Sequence, residues 1–283
     1  HLLSRRQRQM CIRDRLCIMG LYNNRIVVKV GTSTLTNDAG KSDLRTTDRL
    51  ACVLSDIQNM GYEVVLVSSG AIAVGRNKLN MTAKPDSMRM KQAAAAVGQC
   101  SLMYLYDKFF GDYDKTVAQI LLNADDIEEE EKKENLINTF NALLEMGVIP
   151  IVNENDSVSY KEIESEDRLF GDNDMLSAVV AVLCRAKHLV IFSDIDGFYD
   201  HDPRLYPNAQ LIDQIDTIDD SVYALAGGAG SRRGTGGMRT KLQAASLATS
   251  QGTNTIVTNG KHPEVLYDIV KGGRAGTLFP GKI

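Results

Sequence analysis

The stretch Ile26-Val-Val-Lys-Val-Gly-Thr-Ser-Thr-Leu-Thr36 decides how this chain is to be read. Its β-branched run favours a buried strand. The Gly31-Thr-Ser33 turn that follows leaves backbone N–H groups exposed and gathers Lys29, Gly31 and Ser33. A strand and loop with an embedded lysine can hold nucleotide phosphates. The plainer reading of the same residues is a core strand with one snorkelling lysine.

Working outward, apolar runs alternate with amphipathic segments. Strands are expected over 25–30, 63–68, 115–122, 148–152, 187–193 and 254–258, and helices over 43–59, 88–110, 130–146, 173–185 and 238–250. The first helix shows the logic. Leu44, Leu50, Val53, Leu54 and Ile57 recur at helical spacing, Ser42 or Asp43 can cap the start, and Gly61 closes the end. Strands alternating with helices predict an α/β fold, a mainly parallel sheet covered on both faces.

In such sheets ligands gather beyond the carboxyl ends of the strands. The unusual loops of this chain fall at those ends. Ser68-Ser69-Gly70-Ala71 is a small-residue turn into a helix. Asn153-Glu154-Asn155-Asp156 follows one strand, and Gly171-Asp172-Asn173-Asp174 precedes one helix. Turn and N-cap chemistry uses the same residue types, but it explains one or two of these residues better than all seven. Crowded carboxylates repel, and a ligand ammonium relieves that repulsion. A metal site is the rival explanation, although no His or Cys joins the clusters. Ser193-Asp194 ends another strand, followed by Asp200-His-Asp-Pro-Arg204. Six of the fifteen residues in 227–241 are Gly, immediately before a helix that starts near Lys241. That composition suits a loop that wraps phosphates, or a linker.

Composition narrows the field further. The chain has 283 residues and a net charge of −4. Residues 1–18 hold five of its Arg and one acid, so the remainder carries 27 basic and 35 acidic residues, a net −8. An acidic chain without a basic stripe is a poor nucleic-acid binder. No apolar run is long enough to span a bilayer. Residues 1–18 lack apolar periodicity, and Met19 offers a start. This segment is expected to be a non-native or disordered extension to one domain over 19–283. Cys52, Cys100 and Cys184 lie in apolar helical patterns without C-x-x-C pairs, which predicts buried reduced thiols and a cytoplasmic protein. Gly40-Lys41-Ser42 imitates the end of a P-loop, but Leu35 stands where its first Gly is required.

Taken in order, these segments resemble the amino acid kinase family. The resemblance rests on Val28-Lys-Val-Gly-Thr-Ser33, Ser69-Gly-Ala-Ile72, Ala96-Val-Gly-Gln99, Val152-Asn-Glu-Asn-Asp156, Gly171-Asp-Asn-Asp174, Asp200–Arg204 and Gly234-Thr-Gly-Gly-Met238 with Lys241. It implies a three-layer α/β/α sandwich. Within the family, the acidic and Gly-rich elements resemble the branch that phosphorylates the γ-carboxylate of L-glutamate, the entry step of proline biosynthesis. Lys29 and Lys241 would then contact the transferring phosphate, with Asp174 holding both lysines. Ser69, Asp156 and Asn173 would bind glutamate, assisted by Asn153 and Asp172. Ser193, Asp194 and the loop Thr235, Gly236, Gly237, Met238, Arg239, Thr240 and Lys241 would bind ATP, Lys29 contributing from the other side. Mg²⁺ would be held mostly by ATP phosphates, with no protein metal ligand named. The resemblance further implies a homodimer or homotetramer and proline as a feedback inhibitor. The polar segment 157–170 would then serve as a lid over the shared pocket. Many relatives carry a C-terminal PUA-type domain that is not expected here. Acetylglutamate kinase, aspartokinase and uridylate kinase are the rival activities within the family. A non-catalytic nucleotide or amino-acid sensor is the rival of another class, disfavoured by the two lysines and Asp174.

Overall fold

The computed structural model describes residues 24–36, 41–83, 85–158, 173–226 and 237–282. The strands are β1 Arg25–Val30, β2 Glu63–Ser68, β3 Val117–Leu122, β4 Ile149–Glu154, β5 His188–Ser193, β6 Asn254–Asn259 and β7 Thr277–Phe279. The helices that cover them are α1 Leu44–Asn59, α2 Ala71–Lys78, α3 Met88–Gly111, α4 Glu130–Glu145, α5 Asn173–Leu183, α6 Met238–Ser250 and α7 Val265–Val270. Single helical turns occur at 32–35, 125–128 and 220–225.

The sheet order is β3-β4-β2-β1-β5-β6-β7. All pairings are parallel except β6 with β7. The parallel sheet covered on both faces is therefore as expected, and the antiparallel β7 is an addition. Its three residues are too few to show a period, and Gly276 (φ 63°) turns the chain into it.

Alternation along the strands decides which side chains meet which helices. Ile26, Val28 and Val30 face one core with α1, α2, α3 and α7, while Val27 faces a second core with α4, α5 and α6. Lys29 shares the parity of Val27, and so points to the α5/α6 side. Leu66 and Ile151 belong to the α3 core, so Ser68 and Asn153, two residues further on, point towards α3. Asp43 caps α1 by accepting from the Thr46 amide at 3.0 Å.

Helices α2 and α3 cross without room for a methyl group. A Cβ on Gly75 would fall 1.7 Å from the Ala94 carbonyl oxygen, and one on Gly98 would fall 1.8 Å from that of Ala71. The start of α2 is thereby held against α3. The cysteine expectation is corrected here. Only Cys184 is buried, with burial pushing its thiol up to about 12; Cys52 is half-buried and Cys100 is exposed. Cys100 lies on the outer face of α3, where helical spacing alone does not reveal which side the sheet takes. All three are free thiols.

Candidate active site

The carboxyl ends of the parallel strands lie along one edge. The order of connection reverses there, since β1 has β2 on one side and β5 on the other. That is the position at which open α/β sheets bind ligands. Helices α2, α5 and α6 start from the same edge, and helix N-termini favour anions.

At the centre of the edge, Asp174 is fully buried (0 % exposed), and Lys29 and Lys241 are 5 % and 7 % exposed. Lys29 Nζ is 2.6 Å from Asp174 Oδ1, and Lys241 Nζ is 2.9 Å from Asp174 Oδ2. The Thr240 hydroxyl donates to Oδ2 at 2.9 Å. Burial alone would raise the Asp174 carboxyl, but the two ammonium groups outweigh it and hold it below the usual carboxylate range. Three sequence-distant residues thus form one clamp with a net positive charge. The turn after β1 gathers as expected: a Cβ on Gly31 would lie 3.6 Å from Lys29 Nζ and 3.8 Å from Ser33 Oγ.

On the β2/β4 side, Asn173 Nδ2 donates to the Ser68 carbonyl (2.9 Å) and to Asn153 Oδ1 (3.1 Å). Asn153 is buried and donates to Gln99 Oε1 at 2.9 Å. Ser69 Oγ donates to the Val30 carbonyl at 3.0 Å, and Gly70 takes the left-handed φ of 95° that starts α2. Asp156 is half-buried, and burial pushes its carboxyl up to about 6. Among the described residues it has no hydrogen-bond or ion-pair partner. Asn155, by contrast, is turn chemistry, its Oδ1 accepting from Ser157 Oγ at 2.7 Å.

On the β5/β6 side, the Ser193 carbonyl accepts from the Gly260 amide at 2.9 Å. Asp194 pairs with Arg204 at 2.7 Å and with the Ser193 hydroxyl at 3.4 Å. Gly237, Met238 and Arg239 start α6, the Arg239 guanidinium lying 5.9 Å from the centre of the Tyr223 ring. Asp172, Thr235, Gly236, most of the expected lid and the N-terminal extension lie outside the described residues.

Two residues given no role by sequence reasoning join the site. Gln99 stood within a matching motif, and Tyr106 stood in none. Their seven-residue spacing, two turns along one helix face, was the available signal. No described helix is long and apolar enough to cross a membrane.

The sequence pattern of the amino acid kinase family matches residues 24–259. The chain is 55 % identical over 260 residues to a glutamate 5-kinase of Clostridium perfringens, covering 92 % of this chain and 96 % of that protein. It is 50 % identical to a glutamate 5-kinase of Listeria innocua, covering 92 % and 94 %. Among solved structures, Giardia lamblia carbamate kinase bound to AMP-PNP matches with a TM-score of 0.64 at 16 % identity, covering 92 % of this chain and 99 % of that one. UMP kinase from Bacillus anthracis matches with a TM-score of 0.62 at 14 % identity, covering 92 % and 97 %. These structural likenesses establish a shared fold.

Proposed function

We infer, from the premise that this chain belongs to the amino acid kinase family, that it transfers the γ-phosphoryl group of ATP to the γ-carboxylate of L-glutamate. The products are ADP and L-glutamyl 5-phosphate, in the first step of proline biosynthesis. The observation that carries this reading is the Lys29–Asp174–Lys241 clamp at the carboxyl edge of the sheet.

The acceptor carboxylate has an ordinary pKa of about 4.3 and is ionised at neutral pH. No general base is required. One carboxylate oxygen attacks the γ-phosphorus, the bond to the β,γ-bridging oxygen breaks, and ADP carries away the electron pair. The work of the protein is then in-line positioning and neutralisation of charge on the phosphoryl oxygens. Lys29 approaches from the end of β1 and Lys241 from the start of α6, so the two ammonium groups flank the transferring group. Asp174 fixes both without cancelling their joint charge.

Ser69, Asp156, Asn173 and Asn153, with Asp172, form the glutamate pocket. The half-buried Asp156 carboxylate is suited to the substrate ammonium. Ser193, Asp194, Gly237, Met238, Arg239 and Thr240, with Thr235 and Gly236, hold ATP. A Mg²⁺ ion would be held mainly by the nucleotide phosphates. That ion would supply charge neutralisation there. Coupled ADP release with glutamate, aspartate, acetylglutamate and UMP tests the reading. Turnover is expected with glutamate, and preference for any other acceptor overturns the substrate assignment.

The reading extends to a homodimer or homotetramer and to proline, which shares the α-carboxylate and cationic nitrogen of glutamate but lacks a γ-carboxylate. Proline inhibition is expected to be competitive with glutamate. Initial rates over a grid of both concentrations check this, and inhibition that excess glutamate leaves intact would exclude a shared pocket.

Asp156 gives a pH prediction. Its folded value of about 6 exceeds the ordinary 3.8, so between these values the free folded protein binds a proton that the unfolded chain does not. Its contribution to stability is therefore present below about pH 4 and lost as pH rises through about 6. Asp156→Asn should raise the melting temperature of the ligand-free protein at pH 7.5 and leave it unchanged below pH 4. For the wild type, kcat/KM for glutamate should fall about tenfold per pH unit below 6, because the ammonium needs the ionised partner. Pairing with glutamate reverses the shift. A flat kcat/KM between pH 7.5 and 5.5 would separate Asp156 from the ammonium.

A further inference from the structure

A chain of hydrogen bonds, closed into a ring by helix α3, underlies the proposed acceptor pocket. Gln99 Oε1 accepts from Asn153 Nδ2 at 2.9 Å. Asn153 Oδ1 accepts from Asn173 Nδ2 at 3.1 Å, and the same Asn173 amide donates to the Ser68 carbonyl at 2.9 Å. Ser68 Oγ lies 2.8 Å from the Tyr106 hydroxyl. Gln99 and Tyr106 stand two turns apart on α3, and the helix itself closes the ring. Four elements meet in it: α3, β4, α5 and β2.

Proton counting gives the ring a direction. Ser68 has one hydroxyl proton, and its Oγ is also 3.3 Å from the Ser69 carbonyl. Both contacts are satisfied when Tyr106 donates to Ser68 and Ser68 donates to Ser69. Burial drives the Tyr106 phenol well above its ordinary value, only partly offset by Ser68, so it remains a neutral donor. Asn173 has committed its NH₂ group, and Gln99 has committed its carbonyl. The atoms left over, Asn173 Oδ1 and Gln99 Nε2, have no partner among the described residues. Both residues are half-buried.

We propose that this ring sets the polarity of the acceptor site. It presents Asn173 Oδ1, alongside Asp156, to the ammonium of the amino acid and Gln99 Nε2 to its α-carboxylate, with Tyr106 as a positioning residue acting through Ser68. The proposal rests on reading the acceptor as glutamate. It goes beyond that reading by assigning Gln99 to substrate and by making the placement of Ser68, whose carbonyl holds the Asn173 amide, depend on one buried hydroxyl. The flanking geometry supports it. The glycine crossing of α2 on α3 locks the helix that carries Gln99 and Tyr106 to the turn that carries Ser69 and Gly70.

Tyr106→Phe removes the donor and keeps the ring volume. It should raise the glutamate KM about fivefold, the effect of one net hydrogen bond, with kcat and affinity for a non-hydrolysable ATP analogue within about twofold. Gln99→Leu should raise KM about tenfold or more, since its bond is to a charged group. Because either change opens the same ring, the double variant should fall short of the product of the two effects. A merely structural Tyr106 would lower the melting temperature and leave KM unchanged, which would overturn the proposal, as would strictly multiplicative effects. If Tyr106→Phe does not fold, Ser68→Ala opens the ring from the other side and is judged by the same KM shift. Side-chain amide NMR signals of Asn173 provide a readout free of turnover. They should move in Tyr106→Phe, and their constancy overturns the ring. Wild type without glutamate-dependent turnover but with a moved Asn173 signal would instead defeat the glutamate reading alone.

Discussion

Replacing Lys29 or Lys241 by Met should lower kcat by about 100- to 1,000-fold, the range for loss of one donor aimed at developing charge. The KM for glutamate should change little. In the proposed roles, positive charge at these positions matters most when the phosphoryl oxygens gain charge in the transition state, so the loss should fall on turnover and not on acceptor binding. The fold should survive either change, because Asp174 keeps the other lysine as a partner. Steady-state ADP release at saturating glutamate, beside a thermal melt, makes the measurement. A folded Lys29→Met protein with near-normal turnover would leave this residue a structural member of β1.

Asp174→Ala has the largest expected effect on stability. It removes the buried carboxylate that both ammonium groups face, Lys29 and Lys241 being 5 % and 7 % exposed. Breaking a buried pair on one side costs about 3–5 kcal/mol, which for a chain of this size lowers the melting temperature by roughly 6–20 °C. Turnover should be lost as well, since the lysines separate. Asp174→Asn keeps the shape and the hydrogen-bond acceptor, so it should be the less destabilised of the two while still losing most activity. Calorimetric melts of both variants check the order. An Asp174→Ala protein that melts with the wild type would mean that the lysines find other anions, and the clamp would lose its function.

Much of this candidate site was legible because its residues sit at the ends of strongly patterned elements. The β-branched run of β1, the apolar run of β2 and the Gly-rich approach to α6 each announce a strand or helix terminus in sequence. Open parallel sheets use those termini for ligands. Asp156 was singled out in sequence as one of several crowded carboxylates; in the structure burial alone raises its carboxyl. Cys100 was misjudged because apolar residues (Ala, Val, Leu, Met, Tyr and Phe) fall on most sides of α3, and such a pattern does not say which side meets the sheet. The short β7 was missed because three residues between Gly276 and Pro280 carry no period.

What the sequence determined by itself was the order of elements, the parallel sheet and the edge along which the candidate site lies. These follow from local patterning, in which each residue needs only its neighbours along the chain. Local patterning did not reveal that Lys29, Asp174 and Lys241 meet on one buried carboxylate, which the family resemblance implied and the tertiary structure shows; tertiary structure alone decided that Ser68, Asn153 and Asn173 are tied to Gln99 and Tyr106. The reason lies in strand parity and helix placement. One residue of shift in β1, β2 or β4 would turn Lys29, Ser68 or Asn153 to the opposite face, and that register is set by burying two cores at once, which no single segment encodes.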